Sequence, residues 1–208
     1  MVDLTTLVAY GAVVLGFIFI PGPATLLTVA RATSSGTRVG IATGVGIAAG
    51  DMIHTFMAIV GISAVIATSA VLFSIIKYIG AAYLVYLGIR AMLERTPANL
   101  TAGTLPISAG KAFRQAILAE VLNPKTALFF LAFLPQFIDP GSTRKVLAFL
   151  TLGLSFVTTG TIWCLVLVWF ASVFIKPFHA NATIRQWVSG TAGALFIFLG
   201  IRLATAKR

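Results

Sequence analysis

Long apolar stretches separated by short polar ones run the whole length of the chain, covering about 4–30, 40–66, 71–92, 112–137, 146–175 and 186–204. Each has ~20 residues or more, enough to cross a ~30 Å hydrocarbon core as helix. Outer-membrane strands would alternate apolar and polar residues in short pieces, and Leu195-Phe196-Ile197-Phe198-Leu199 does not alternate. The pattern predicts six transmembrane helices. Polar connectors fall at 31–38, at a tight turn around Thr68-Ser69, at 139–144 and at 176–185. The longest, 94–110, carries Pro97 and Pro106.

Two of these stretches are interrupted. Pro21-Gly22-Pro23 lies inside the first and Asn123-Pro124-Lys125 inside the fourth. Proline lacks the helical donor and its ring collides with the preceding turn. Both sites therefore predict a broken helix, yet apolar residues continue on either side. At membrane depth such backbone must be buried in protein or line a cavity.

The breaks belong to a repeat. The stretch 80–90 matches 192–202, and both end in Leu-Gly-Ile-Arg. Pro23, Thr25 and Leu27 match Pro124, Thr126 and Leu128. Gly36-Thr37-Arg38 resembles Ser142-Thr143-Arg144. The chain thus reads as one transmembrane transporter domain over 1–208. Its repeats cover about 1–95 and 111–208, joined by the loop 96–110. Three helices per unit send the second unit through the membrane in the opposite sense. The expected fold class is an all-α integral membrane protein built from two inverted three-helix repeats, as in many secondary transporters.

Composition agrees. Of the 208 residues 59% are hydrophobic and 10% charged, with mean hydropathy +1.02, where soluble domains carry ~25% charged residues. The net charge of +10 sits mainly in the short connectors, so it reads as loop charge bias and not as a nucleic-acid surface. With the termini outside, eight basic residues fall in cytoplasmic segments and six in the others. That slight excess favours outside termini. No Lys or Arg precedes the first apolar run, so the first segment reads as a retained helix and not a cleaved signal. The single cysteine, Cys164, excludes an intramolecular disulfide and a two-cysteine redox motif.

Candidate chemistry gathers at the breaks. A helix restarting after Pro23 or Pro124 presents free N–H groups and a partial positive charge, which suits a substrate carboxylate. Pro21, Gly22, Pro23, Thr25, Asn123, Pro124, Lys125 and Thr126 are therefore the substrate-binding candidates. The plain alternative is two kinks satisfied by neighbouring helices. Asp51 is the one acid in the second stretch and lies near its middle. An intramembrane carboxyl is expensive and functional by default, so it is the leading coupling candidate. His54, three residues on, can share its proton, although packing is the stronger reading there. Glu120 is the third coupling candidate, or else an ordinary partner of Arg114. Lys125 can meet a substrate carboxylate, pair with Asp51 or lock onto Glu120. Gly36, Gly40, Gly44 and Ala48, with Gly46 and Gly50, form small-residue rows for close helix packing. Two distant histidines and one cysteine predict no metal centre. The absence of a Walker motif argues against direct use of ATP. No cofactor is expected.

These motifs resemble the LysE/RhtB family of amino-acid exporters. The resemblance rests on Phe17 to Pro23, on the glycine-rich 36–50 leading into Asp51-Met52-Ile53-His54, and on 122–137. The family pattern falls on Pro21, Gly22, Pro23, Asp51, Asn123, Pro124 and Lys125. It implies an inner-membrane exporter of an amino acid or derivative, of the homoserine, threonine, homoserine-lactone or lysine type. Coupling would be to a proton or ion gradient. The implied partners are that small molecule, the coupling ion, the bilayer and, where it assembles, a second copy of the chain. Two rival readings differ: an ion or divalent-metal exporter, for which Asp51, His54 and Glu120 are a thin ligand set, and a non-transporting membrane partner or enzyme.

Overall fold

Residues 2–19, 22–68, 70–93, 106–139 and 141–180, with Ala194, Ile197, Phe198, Gly200, Ile201, Ala204 and Thr205, are described by a computed structural model. The elements are α1 (Leu4–Phe19), α2 (Pro23–Ser35), α3 (Thr37–Thr68), α4 (Ala70–Leu93), α5 (Ala109–Val121), α6 (Pro124–Leu128) and α7 (Lys145–Ala180). A π turn, Phe129–Phe133, and a 3-10 turn, Leu134–Phe137, follow α6. Among the described residues there is no strand. The chain is an all-α integral membrane protein.

Local chemistry sets the helix limits. Asp3 accepts the Thr6 amide at 2.6 Å, and hydrogen bonds from Thr6 hold its carboxyl below the usual range. Pro23 opens α2 behind an extended Gly22, where its missing N–H costs nothing. Gly36 ends α2 at φ +89, with its N–H bonded to Ala32 O. Only glycine adopts that backbone freely, and it turns the chain straight into α3. The polar connector expected at 31–38 is therefore helical as far as Ser35. Thr33 returns its hydroxyl to Val29 O and Ala30 O, and Arg31 reaches Gln115 at 3.0 Å. Each of these side chains finds a hydrogen-bond partner without leaving the helix. Likewise α7 runs on through Lys176 and Pro177 to Ala180. A proline removes one intrahelical bond there without ending the helix. Ser69, the loop 94–105 and most of the sixth apolar stretch lie outside the described residues.

Thr37–Gly61 and Lys145–Ala171 are long and apolar enough to cross a membrane singly. Two bent pairs pass the same test together. α1 and α2 meet at 55°, and α5 meets the run from Pro124 to Phe137 at 46°.

α3 is the hub, and its glycines mark where neighbours come closest. A Cβ on Gly46 would fall 2.5 Å from Phe113 O, and one on Gly50 2.6 Å from Glu120 Cβ. Contacts advance in step along both helices, so α3 and α5 are parallel. On the opposite face a Cβ at Gly153 of α7 would collide with Thr55 Cγ2, one at Gly44 would lie 3.1 Å from Cys164 Cβ, and one at Gly40 would lie 3.0 Å from Val168 Cγ2. Numbers rise on α7 as they fall on α3, so this pair is antiparallel. α2 runs with α7, because Thr28 reaches Cys164 and Ala32 packs on Val168. The two bent pairs therefore run in opposite senses relative to α3.

The main core lies where α1, the π turn and α7 meet. Tyr10, Phe17, Phe129, Phe130, Phe133 and Phe156 are all buried. Phe17 and Phe129 ring centres are 4.4 Å apart, and Phe129 and Phe156 are 5.0 Å apart. The aromatics at 129, 130 and 133 are thus core residues.

Candidate functional site

The second break is built on Asn123. Its side-chain oxygen accepts the Lys125 amide at 3.1 Å, capping α6. Its amide nitrogen donates to both carboxylate oxygens of Glu120, at 3.3 and 3.4 Å. Thr126 Oγ1 donates to Glu120 Oε1 as well. Glu120 is 2% exposed and ties the two sides of the break together. It is not a solvated partner of Arg114, which is exposed on another face of α5.

Lys125 carries the second break to the first. Its Nζ donates to Phe17 O at 2.9 Å and lies 4.3 Å from the Phe17 ring centre. A Cβ on Gly22 would sit 3.3 Å from both Lys125 Cδ and Nζ. Glycine at the first break thus makes room for the lysine of the second. Phe17 O lies near the end of α1, where carbonyls lose their helical partners, so the ammonium also satisfies a helix terminus.

Asp51 enters from α3. It is 3% exposed; its Oδ1 meets no donor group, and its carboxyl lies within hydrogen-bonding reach of the Glu120 carboxyl. The charges that act on it are Glu120 and Lys125. Its Oδ2 faces Gly160 of α7, where a Cβ would lie 3.7 Å away. Buried polar atoms are normally paired, and two buried carboxyls in contact need a shared proton or a nearby cation. His54 points to a neighbouring face: Nε2 meets Glu120 O at 2.9 Å, and the ring stacks on Phe130 with centres 5.8 Å apart. Its nitrogen is committed to the backbone beside the break.

The structure therefore brings together Gly22, Asp51, His54, Glu120, Asn123, Lys125 and Thr126. The prolines differ: Pro23 and Pro124 are exposed, and Pro21 lies outside the described residues. Thr25 is half-buried and makes none of the hydrogen bonds of the cluster. The buried threonine of α2 is Thr28, which returns its hydroxyl to Ala24 O. The two helix starts are also unequal. Gly22 gives α2 no side-chain cap, whereas Asn123 occupies the first free amide of the five-residue α6. Only α2 keeps its first-turn amides clear of a capping side chain. Sequence reasoning missed Phe17 and Gly160. A main-chain carbonyl carries no residue signature, and Gly160 acquires meaning only when α7 packs beside Asp51. Among the described residues no group of three His, Cys, Asp or Glu side chains is arranged to hold a metal.

Known proteins bear on this arrangement. The chain is 34% identical over 207 residues to an uncharacterized membrane protein of Vibrio cholerae, covering 99% of each. It is 31% identical over 202 residues to an uncharacterized membrane protein of Pseudomonas aeruginosa, covering 93% of each. A leucine efflux protein of Salmonella choleraesuis is 29% identical over 202 residues, 95% of each chain. No solved structure matches. The pattern of the LysE type translocators matches residues 15–207, which include both breaks, Asp51 and Lys125. The chain belongs to the LysE type translocator family.

Proposed function

We propose that this protein is a secondary active exporter of an amino acid or amino-acid derivative across the bacterial inner membrane, driven by a proton or ion gradient. The observation that carries the reading is Asp51: a carboxyl buried in an apolar span, paired with the carboxyl of Glu120 and in the field of Lys125, where two helix breaks meet. A zwitterion needs both signs of charge and little water. Asp51 offers the acceptor for an α-ammonium. The uncapped start of α2 offers donors for the carboxylate, with the Lys125 ammonium as a positive charge beside Gly22. The apolar walls around Phe17, Ile18 and Phe156 suit an aliphatic side chain, in keeping with relatives named leucine efflux proteins. Homoserine, threonine and lysine remain in the substrate class to be assayed.

Alternating access would come from two inverted three-helix units, about 1–95 and 111–208, rocking about this junction. The opposite senses of the two bent pairs support that architecture, and the breaks sit one in each unit. Protonation of Asp51 from outside would release the ammonium outward, and loss of that proton inside would reset the site. Lys125, Glu120 and Asn123 would hold the breaks together through the cycle. The test is efflux of labelled leucine, threonine, homoserine and lysine from cells and from proteoliposomes with and without the chain. Faster loss of at least one of them supports the reading. Rates equal to the protein-free control for all of them overturn it.

A further inference from the structure

Two buried carboxyls, Asp51 of α3 and Glu120 of α5, meet beside the second break, and the donors around them are divided unequally. Asn123 gives its amide nitrogen to both Glu120 oxygens, at 3.3 and 3.4 Å. That orientation is fixed, because the oxygen of the same amide accepts the Lys125 N–H. Thr126 Oγ1 donates to Glu120 Oε1 as well. Among the described residues Asp51 Oδ1 meets no donor. A carboxylate only accepts, whereas a protonated carboxyl supplies a donor of its own. Glu120 thus has the donor set of a carboxylate, and Asp51 is left as the carboxyl that carries a hydrogen and gives it to Glu120. The charge count agrees. Two carboxylates against the Lys125 ammonium would bury a net negative charge, which is costly, and one shared proton makes the group neutral. Other titratable groups close by bring no charge to it. His54 meets Glu120 O through one ring nitrogen, as a neutral imidazole can. The Tyr10 phenol of α1 and the Cys164 thiol of α7 lie within reach of the Asp51 charge and are neutral at neutral pH.

We propose that Asp51 and Glu120 form a carboxyl–carboxylate pair holding one proton, bonded to Asp51 in the substrate-free site, and that Glu120 is the positioning residue through which that proton and a substrate ammonium exclude one another. This inference rests on the exporter reading and names the partner that ties the gradient to the site. An ammonium arriving from the cytoplasm takes the proton's place as the positive partner of the pair. The Asp51 O–H bond breaks, and the proton leaves to cytoplasmic water. On the outer side a proton from water re-forms that bond, and the ammonium leaves with its molecule. The pair has one positive partner at every stage, and one proton moves inward for each molecule moved out.

The experiment is infrared difference spectroscopy of the detergent-solubilised full chain at neutral pH, in light against heavy water, which reads the C=O stretch of protonated carboxyls. The chain has five acids, and Asp3 and Asp139 are exposed, so few carboxyls compete for the signal. The substrate-free wild type should show a protonated-carboxyl band. That band should move when aspartate carboxyls are labelled with carbon-13 and stay in place when glutamate carboxyls are. Glu120→Gln, checked for folding by thermal melting, should lose the band, because Asp51 and Lys125 then balance as ions. Calorimetric titration with leucine in two buffers of different ionisation enthalpy should show the wild type releasing about one proton per leucine bound. No band in the wild type, a band that moves with glutamate labelling alone, a band that persists in a folded Glu120→Gln, or leucine binding without proton release overturns the pair and leaves the exporter reading standing. Failure of the wild type to export leucine, threonine, homoserine and lysine overturns the exporter reading, and the exchange with it, whether or not the band is seen.

Discussion

Lys125 lies against Gly22, its Nζ 3.3 Å from where a Cβ on that glycine would be. Two helix breaks a hundred and one positions apart in sequence thus meet through one side chain, which also holds the end of α1 by Phe17 O. Gly22 has an ordinary extended backbone, φ −122, so a larger residue is not strained there. Gly22→Ala should fold with an unchanged melting temperature, because the neighbour it presses is the flexible end of a lysine. It should slow efflux by shifting Nζ a few tenths of an ångström at the meeting of the two breaks, while its bond to Phe17 O is kept. Melting and efflux measured on the same preparation check this, and normal efflux would show that the contact is incidental.

Lys125→Met keeps most of the apolar stem but removes the Nζ hydrogen bond to Phe17 O and leaves both carboxyls without their cation. Breaking a buried charged set costs about 3 kcal/mol or more. The variant should melt well below the wild type and lose transport. A melting temperature equal to that of the wild type would show that the ammonium does not hold the breaks together.

The α3–α5 contact tolerates no added atoms. A Cβ on Gly46 meets a backbone carbonyl at 2.5 Å, and one on Gly50 meets Glu120 Cβ at 2.6 Å. Overpacking of this kind costs about 1–3 kcal/mol. Gly46→Ala and Gly50→Ala should each lower the melting temperature in detergent, whereas Gly61→Ala, with nothing within 4 Å, should not.

Tyr10 is fully buried among Phe129 and Phe137, and its hydroxyl has no hydrogen-bond partner. An unpaired buried hydroxyl costs about 1–3 kcal/mol. Tyr10→Phe should therefore leave the protein as stable as the wild type or more so, by thermal melting. A clear loss of stability would show that the hydroxyl has a partner in the working protein.

Sequence reading reached the breaks because proline and glycine act on their own backbone, whatever surrounds them. It reached Asp51 because a carboxyl in a long apolar run needs a reason. It reached the pairing of the breaks through the repeat, since Thr25 and Thr126 occupy matching positions. It did not reach the inequality between them. Asn123 caps its own helix and binds Glu120, while Gly22 can do neither, and Thr28 is the buried threonine of α2. The helical course of 31–35 was hidden because hydroxyls that bond back to the preceding turn look the same in sequence as loop hydroxyls. Gly160 was hidden for a deeper reason. It faces Ile18 and Asp51, two residues on other helices, and no local pattern records that meeting.

The most direct measurement of the central claim is labelled leucine efflux from proteoliposomes under an imposed pH gradient, for the wild type and Asp51→Asn. Asparagine keeps the size of the side chain and removes its charge and its titration. The account predicts that wild-type efflux accelerates with the gradient and that efflux in Asp51→Asn falls to the protein-free leak and ignores it. Efflux in Asp51→Asn that still responds fully to the gradient would contradict it, because coupling would then lie elsewhere.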